Sequence, residues 1–128
     1  MFFNKSALIA IVTAASVGSV VAQVPTSFIG SAGHFDPNHL PGDFTPCGAD
    51  CSASPLPRIA LPSTLYNGAD VCCSTFTITY HGKTVQGTYA YKSSALAGTT
   101  NGVLADELFN QLNDQQGANV IFPVQYRL

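Results

Sequence analysis

Val71–Tyr91 reads VCCSTFTITYHGKTVQGTYAY, and its pattern decides the fold. From Thr75 to Tyr80 hydroxyl and apolar side chains alternate (Thr75, Phe76, Thr77, Ile78, Thr79, Tyr80), the two-residue period of a strand with one buried face. Thr84 to Tyr91 resumes a looser alternation, with Val85, Gly87, Tyr89 and Tyr91 on one side. Between the runs sits His81-Gly82. Glycine accepts positive φ and histidine is among the residues enriched there, so the spacing predicts a tight β-hairpin. Two adjacent cysteines open it, and any covalent bracing is anchored at this point.

Working outward to the start of the chain, Lys5 gives a positive end and Ala7–Val21 is mostly apolar, broken by Thr13, Ser16, Gly18 and Ser19. Val20-Val21-Ala22 then places small or modest residues at cleavage positions. This is the pattern of a secretory signal peptide over residues 1–22. A membrane anchor needs about twenty continuous apolar residues, and the longest unbroken run is Ala7–Val12. Residues 23–128 are expected to form one small domain, secreted and extracellular, with no membrane association after cleavage.

Lys5 aside, four basic residues face seven acidic ones, so there is no basic patch and nucleic acid is not an expected partner. Only 9% of residues are charged, while Gly, Pro, Ser, Thr and Asn are frequent, which suits a β-rich extracellular domain rather than a helical bundle. The domain is expected to be a monomer.

Cys47, Cys51, Cys72 and Cys73 are an even set behind a signal peptide, which reads as two disulfides. Adjacent residues on a strand point to opposite faces, so Cys72 and Cys73 should each bond a different partner, Cys47 or Cys51, in either order. Closing a loop of about 25 residues contributes roughly 3.5 kcal/mol in the chain-entropy model. Zinc is the rival reading, with His34, His39 and His81 as further ligands. The spacing is not a C-x-x-C pair and secretion oxidises thiols, so neither a metal nor any other cofactor is expected.

Elsewhere, Phe28–Phe35 (FIGSAGHF) predicts a first strand and Pro37–Pro57 a long loop tied down by Cys47 and Cys51. Arg58–Leu61 is a short strand and Pro62–Tyr66 a turn. Ser93–Gly102 is a polar surface loop. Leu104, Leu108 and Leu112 recur every fourth residue with Asp106 and Glu107 in the opening turn, predicting a helix over Val103–Asn113 capped by Thr100 or Asn101. Asn119–Leu128 is a closing strand whose Pro123 demands an edge, bulge or corner. At least five short strands and one helix close most naturally into a small barrel.

The segments Gly30–Pro37 (GSAGHFDP), Ile59–Leu61 with Ser63–Gly68 (STLYNG), Phe76–Thr88, Leu108–Leu112 (LFNQL) and Val120–Tyr126 (VIFPVQY) fall in a familiar order. Together they resemble the double-psi β-barrel proteins, above all small secreted fungal members related to rare lipoprotein A, barwin and the first domain of expansins. The resemblance implies an all-β, six-stranded double-psi β-barrel with one short helix, two disulfides and a shallow groove across one face.

Active relatives act on glycans there, with a carboxylate from a D-x-D-L-S segment before the helix and a second Asp in V-V-D-x-C-x-x-C after the hairpin. They also use a Thr and a Tyr from A-T-Y-Y in the first strand. In this chain Val103 and Tyr91 stand at the two aspartate positions, Ser93 and Leu96 replace the two cysteines, and Gly33 and His34 replace the Thr and Tyr. Cys51 with Cys72 or Cys73 looks like a relocated disulfide.

Cleaving a glycosidic bond needs a proton donor, and inverting hydrolysis needs a second carboxylate to activate water. Val103 supplies neither. Asp36, Asp43, Asp50 or His34 are the available substitutes, each with a simpler role in a turn or in solvent. No G-x-S-x-G, H-E-x-x-H or glycine-rich phosphate loop occurs. Phe35, Tyr89 and Tyr91 could stack on sugar rings, although Tyr89 and Tyr91, sharing a strand face, also read as barrel core, the reading the alternation favours for Tyr89. The chain has no tryptophan, the usual sugar platform.

The expectation is therefore a catalytically silent binding module, a fungal effector or inhibitor facing a cell-wall polysaccharide or a host or other extracellular protein. His34, Phe35, Asp36, Tyr91 and Lys92 are its candidate groove residues. The alternative is a weak wall-active glycan hydrolase, lytic or wall-loosening protein with a relocated acidic site.

Overall fold

Each strand of this chain is short, and the backbone reconciles them by closing the sheet on itself. The computed structural model describes residues 26–66 and 71–128; the expected signal peptide lies outside the described residues. In chain order the strands are β1 (Ser27–Phe35), β2 (Phe44–Pro46), β3 (Arg58–Pro62), β4 (Thr75–Tyr80), β5 (Lys83–Ser93), β6 (Gly102–Ala105) and β7 (Ile121–Arg127). A single α-helix, α1 (Asp106–Leu112), and a 3₁₀ turn (Ser94–Leu96) complete the described elements. The sheet runs β2-β5-β3-β6-β1-β7-β4, and β4 pairs β5 again. Six strands thus form a closed barrel, with β2 an outer addition on β5. Closure leaves the barrel strands no free edge.

The hairpin forms as its alternation requires. Thr75↔Thr88 through Tyr80↔Lys83 are in register, and His81 (φ 49°) and Gly82 (φ 80°) make the left-handed turn. Phe76, Ile78 and Tyr80 are buried, while Thr75 is exposed.

The structure departs from the sequence reading in several places, one of them the strand β2 inside the stretch read as a long loop. Cys72 and Cys73 do not lie on a strand: they occupy a turn closed by Ser74 N–H to the Val71 carbonyl (3.1 Å), with Cys73 at φ 69°. The turn, not strand pleating, separates the two sulfurs, and the bridges are Cys47–Cys72 and Cys51–Cys73.

The helix is shorter than its leucine period suggests. Gly102–Ala105 is a strand, parallel to β1 and antiparallel to β3, so its backbone is committed to the sheet. Leu104 reaches the core from that strand, and Leu108 and Leu112 reach it from the helix. The period marks one apolar face that crosses two kinds of backbone.

Neither Thr100 nor Asn101 caps the helix, whose N-cap is Ala105 without a side-chain hydrogen bond. Asn101 is used elsewhere. The β1–β7 register shifts between Gly30 and Ala32, opposite Phe122-Pro123, where the peptide bond is cis. Pro123 thus sits at a bulge, one of the positions open to it. At that bulge the Asn101 Oδ1 accepts from Ser31 N–H (2.9 Å), and the Tyr126 hydroxyl donates to the Ser31 carbonyl (2.7 Å). Both backbone groups that the bulge withholds from the ladder are satisfied by side chains. Gly102 is required here, since a Cβ would come within 2.6 Å of the Tyr126 hydroxyl oxygen.

Candidate functional site

The outer wall carries a row of four register partners across four strands: Tyr91 of β5, Ala60 of β3, Val103 of β6 and Gly33 of β1. No member of this row bears a carboxylate. Val103 and Tyr91, at the two aspartate positions implied by the resemblance, are thus both register partners of one residue, Ala60.

Tyr91 reaches this wall through a bulge. Ile59 pairs with Tyr89 and Ala60 with Tyr91, so Ala90 is an extra residue on β5. Tyr89 and Tyr91 consequently point to opposite faces, not to a shared one. Tyr89 is 2% exposed and packs with Tyr66 and Phe76 in the core. Tyr91 packs instead with Phe35 (6.1 Å, interplanar 90°) and Phe44 (5.8 Å). Phe35 and Phe44 meet edge to face at 5.1 Å, which completes an aromatic triad joined to the main core cluster through Tyr91.

The carbonyl of the bulged Ala90 accepts the Cys47 amide (2.9 Å), and the Tyr89 carbonyl accepts the Cys73 amide (2.8 Å). The disulfide-bearing loop is thereby latched onto β5. The four cysteine sulfurs lie within 4.8 Å of one another, a spacing that thiolates could offer to a metal, but all are consumed in the two bridges. Beside the bridges is a depression of about 600 Å³ lined by residues that include Pro46, Ala49, Arg58, Ala90 and Tyr91. It is mostly apolar-walled, with Asp50 and Arg58 as its charged members.

The structure brings Phe35 and Tyr91 together and sends the neighbouring candidates elsewhere. His34 lies on the other side of β1, its ring 4.7 Å from Phe109 and its Nδ1 2.7 Å from the Asp106 Oδ1. Asp36 accepts from Asn38 N–H (2.9 Å) and from His39 Nδ1 (3.0 Å) in an exposed turn. Those two bonds hold its carboxyl below the usual range, the Asn38 amide first. Lys92 pairs in register with Leu61 and Thr45, and so faces away from Tyr91.

The other loop acids are similarly committed. Asp43 accepts from Ser93 Oγ (2.5 Å) and Ala95 N–H (3.3 Å), pinning the loop to the end of β5. Asp50 accepts from Ser52 N–H (3.0 Å) and Ser52 Oγ (3.1 Å). Asp114 pairs with His81 Nδ1 at 2.8 Å, which holds its carboxyl low.

Sequence reasoning passed over Phe44, Arg58 and Asp106 as site residues. Asp106 is 72 positions from His34, and Phe44 opens the three-residue β2 in a stretch of sequence without periodicity, so neither had a local signal. Arg58 had part of one: two residues before Ala60 on a predicted strand, it shares the face of Ala60, while the Ala90 bulge is what brings Tyr91 to that face.

No protein-family model matches the chain, and no curated protein matches it. Solved structures do. A Streptomyces papain inhibitor superposes with TM-score 0.56 at 16% identity, over 81% of this chain and 94% of its own. The apo form of a Clavibacter michiganensis expansin superposes with TM-score 0.60 at 22% identity, over 78% of this chain and 48% of its own, so this chain spans about half the length of that expansin. Both neighbours are double-psi β-barrel proteins, and the six-stranded barrel described above has their fold.

Proposed function

We propose that this double-psi β-barrel is a secreted, non-catalytic binding module, an effector or inhibitor that works at a cell wall or on an extracellular or host protein. The observation that carries the reading is the row Tyr91–Ala60–Val103–Gly33, a wall without a carboxylate where glycan-cleaving relatives are expected to hold two. The local commitments of Asp36, Asp43 and Asp50 support it, because each carboxylate is already engaged by its own loop or by the end of β5. The half-buried rings of Phe44 and Tyr91, packed on a Phe35 that is itself buried, supply a contact surface together with the adjoining depression. Two disulfides fit the oxidising route that residues 1–22 would open. Among the described residues, no helix is long and apolar enough to cross a membrane.

One assay set separates binding from cleavage. The purified protein is co-sedimented with chitin, cellulose, xylan and peptidoglycan, its effect on papain is measured, and released sugar is assayed in parallel. Retention on a polysaccharide, or slowed papain, with sugar release at background is the expected result. Sugar release by the wild type would sink the reading. The Val103→Asp/Tyr91→Asp double variant tests whether the wall is otherwise competent, since an essential acid or base is worth about 10² to 10⁴ in rate.

A second reading is favoured by the His34–Asp106 pair. A carboxylate on Nδ1 orients the imidazole and leaves Nε2 as a base or acid, and the His34 side chain is 38% exposed. This is the enzyme alternative with a relocated site. His34→Gln and Asp106→Asn abolishing a measured sugar release would establish it.

A further inference from the structure

We propose that the depression beside Tyr91 is a receptor for a carboxylate carried by a polypeptide, with Arg58 as the residue that binds it; this rests on the binding-module reading. Arg58 is held in a fixed pose by backbone alone. Its Nη1 donates to the Ser54 carbonyl (3.2 Å) and the Leu56 carbonyl (2.9 Å), and its Nη2 donates to the Cys51 carbonyl (2.8 Å). A guanidinium has five N–H donors, so two remain, the Nε–H and one on Nη2.

No carboxylate neutralises this cation among the described residues, where every ion pair is between a histidine and an aspartate. Asp50, the acid in the same lining, bonds Ser52 N–H and Ser52 Oγ and forms no ion pair with Arg58. The result is a half-buried, preorganised guanidinium with spare donors at the edge of an apolar-walled depression of about 600 Å³. Carboxylates are the planar anions such a fork matches.

The walls choose between the two carriers of that group. A uronic-acid chain presents hydroxyls all round its ring and needs a matching set of polar side chains. Pro46, Ala49 and Ala90 offer no side-chain hydrogen bond, and the Tyr91 ring packs into the aromatic triad. An apolar residue next to a polypeptide carboxylate fits them, burying carbon against carbon while its charge meets Arg58.

Titration of the ¹⁵N-labelled protein tests this with acetyl-Ala-Ala-Phe as the free acid, the same peptide as its C-terminal amide, acetyl-Ala-Glu-Phe-amide, and trigalacturonic acid. The expected result is saturable shifts of the Ala49, Arg58 and Tyr91 signals with the free acid or the Glu peptide, and affinity about ten- to a hundredfold lower for the uncharged amide. Ala49→Trp should remove the binding by filling the depression with Arg58 and both disulfides intact. Arg58→Gln should lower it to the level of the uncharged amide; if that variant loosens the loop, Ala49→Trp decides alone.

Equal binding of acid and amide, no shift at those signals, or tighter binding of trigalacturonic acid would each overturn the proposal. A polysaccharide or papain interaction that survives Ala49→Trp would overturn it while leaving the binding-module reading in place. Absence of any interaction in the sedimentation and papain assays would remove that reading itself.

Discussion

Tyr89 and Tyr91 are two residues apart on one strand and face opposite sides of its wall, because their register partners are the consecutive residues Ile59 and Ala60 and Ala90 is the extra residue between them. Their substitutions should therefore separate stability from recognition. Tyr89→Ala removes a ring packed on Tyr66 and Phe76 in the core and should cost about 3 to 5 kcal/mol of unfolding free energy. Tyr91→Ala removes a half-buried ring from the outer triad and should cost less, while weakening any ligand held at that wall. Urea denaturation of both variants checks the order.

The Ser31 bulge depends on two distant side chains. Tyr126→Phe deletes the hydroxyl that meets the Ser31 carbonyl and should cost about 1 to 3 kcal/mol, the range for stranding a buried polar group. Asn101→Ala strands the Ser31 amide, whose bond is part-buried like that of the carbonyl, so its cost should fall in the same range. The two serve one residue, and a double-mutant cycle should show them non-additive. Equal denaturation midpoints for wild type and Tyr126→Phe would refute the role given to the hydroxyl.

Peptide mapping without reduction should find Cys47 joined to Cys72 and Cys51 to Cys73. Replacing either pair by serine should cost about 2 to 5 kcal/mol, a large share of a small domain's stability. A fragment linking Cys47 to Cys73 would show the other pairing.

Stability should fall at both ends of the pH scale, for opposite reasons. Burial pushes the Tyr66 phenol up to about 12, with Tyr89 adding to the shift, and burial also raises Tyr89 and Tyr126. A folded value above the unfolded one near 10 means stability is whole below pH 10 and is lost as pH rises towards 12. Absorbance at 295 nm should show these phenolates appearing together with loss of the native circular dichroism.

Asp36 and Asp114 have folded values below 3.8, so their contribution is present above that pH and disappears as pH falls through the folded values. Asp114→Asn should flatten the acid side of the stability curve. An unchanged curve would argue against the His81–Asp114 pair.

Much of the barrel was legible because hairpin alternation and turn chemistry are local. Phe76, Ile78 and Tyr80 announced their buried face, and His81-Gly82 announced the turn. The strand Gly102–Ala105 was not legible, since Leu104 continues the spacing of Leu108 and Leu112 and nothing local says that the backbone changes from sheet to helix. Nor was the Ala90 bulge: an inserted residue alters facing only relative to a partner strand, and Tyr-Ala-Tyr read alone keeps its alternation. The His34–Asp106 and Phe35–Tyr91 contacts are products of closure, and the spacing of their members along the chain carries no trace of them.

The latch between the cysteine loop and β5 bears on how such a protein can change over generations. Residues 47–51 are fastened by two sulfur bridges and by the Cys47 amide, which grips the main-chain carbonyl of Ala90, a group that any side chain there would leave in place. The exposed tip at 36–40 has no partner in the barrel sheet. Lineages carrying this scaffold are free to swap the residues presented there without renegotiating the fold, like a tool that keeps its shank and exchanges its bit. Sequence divergence should accumulate in that loop first, and the barrel strands should be the slowest part of the chain to drift.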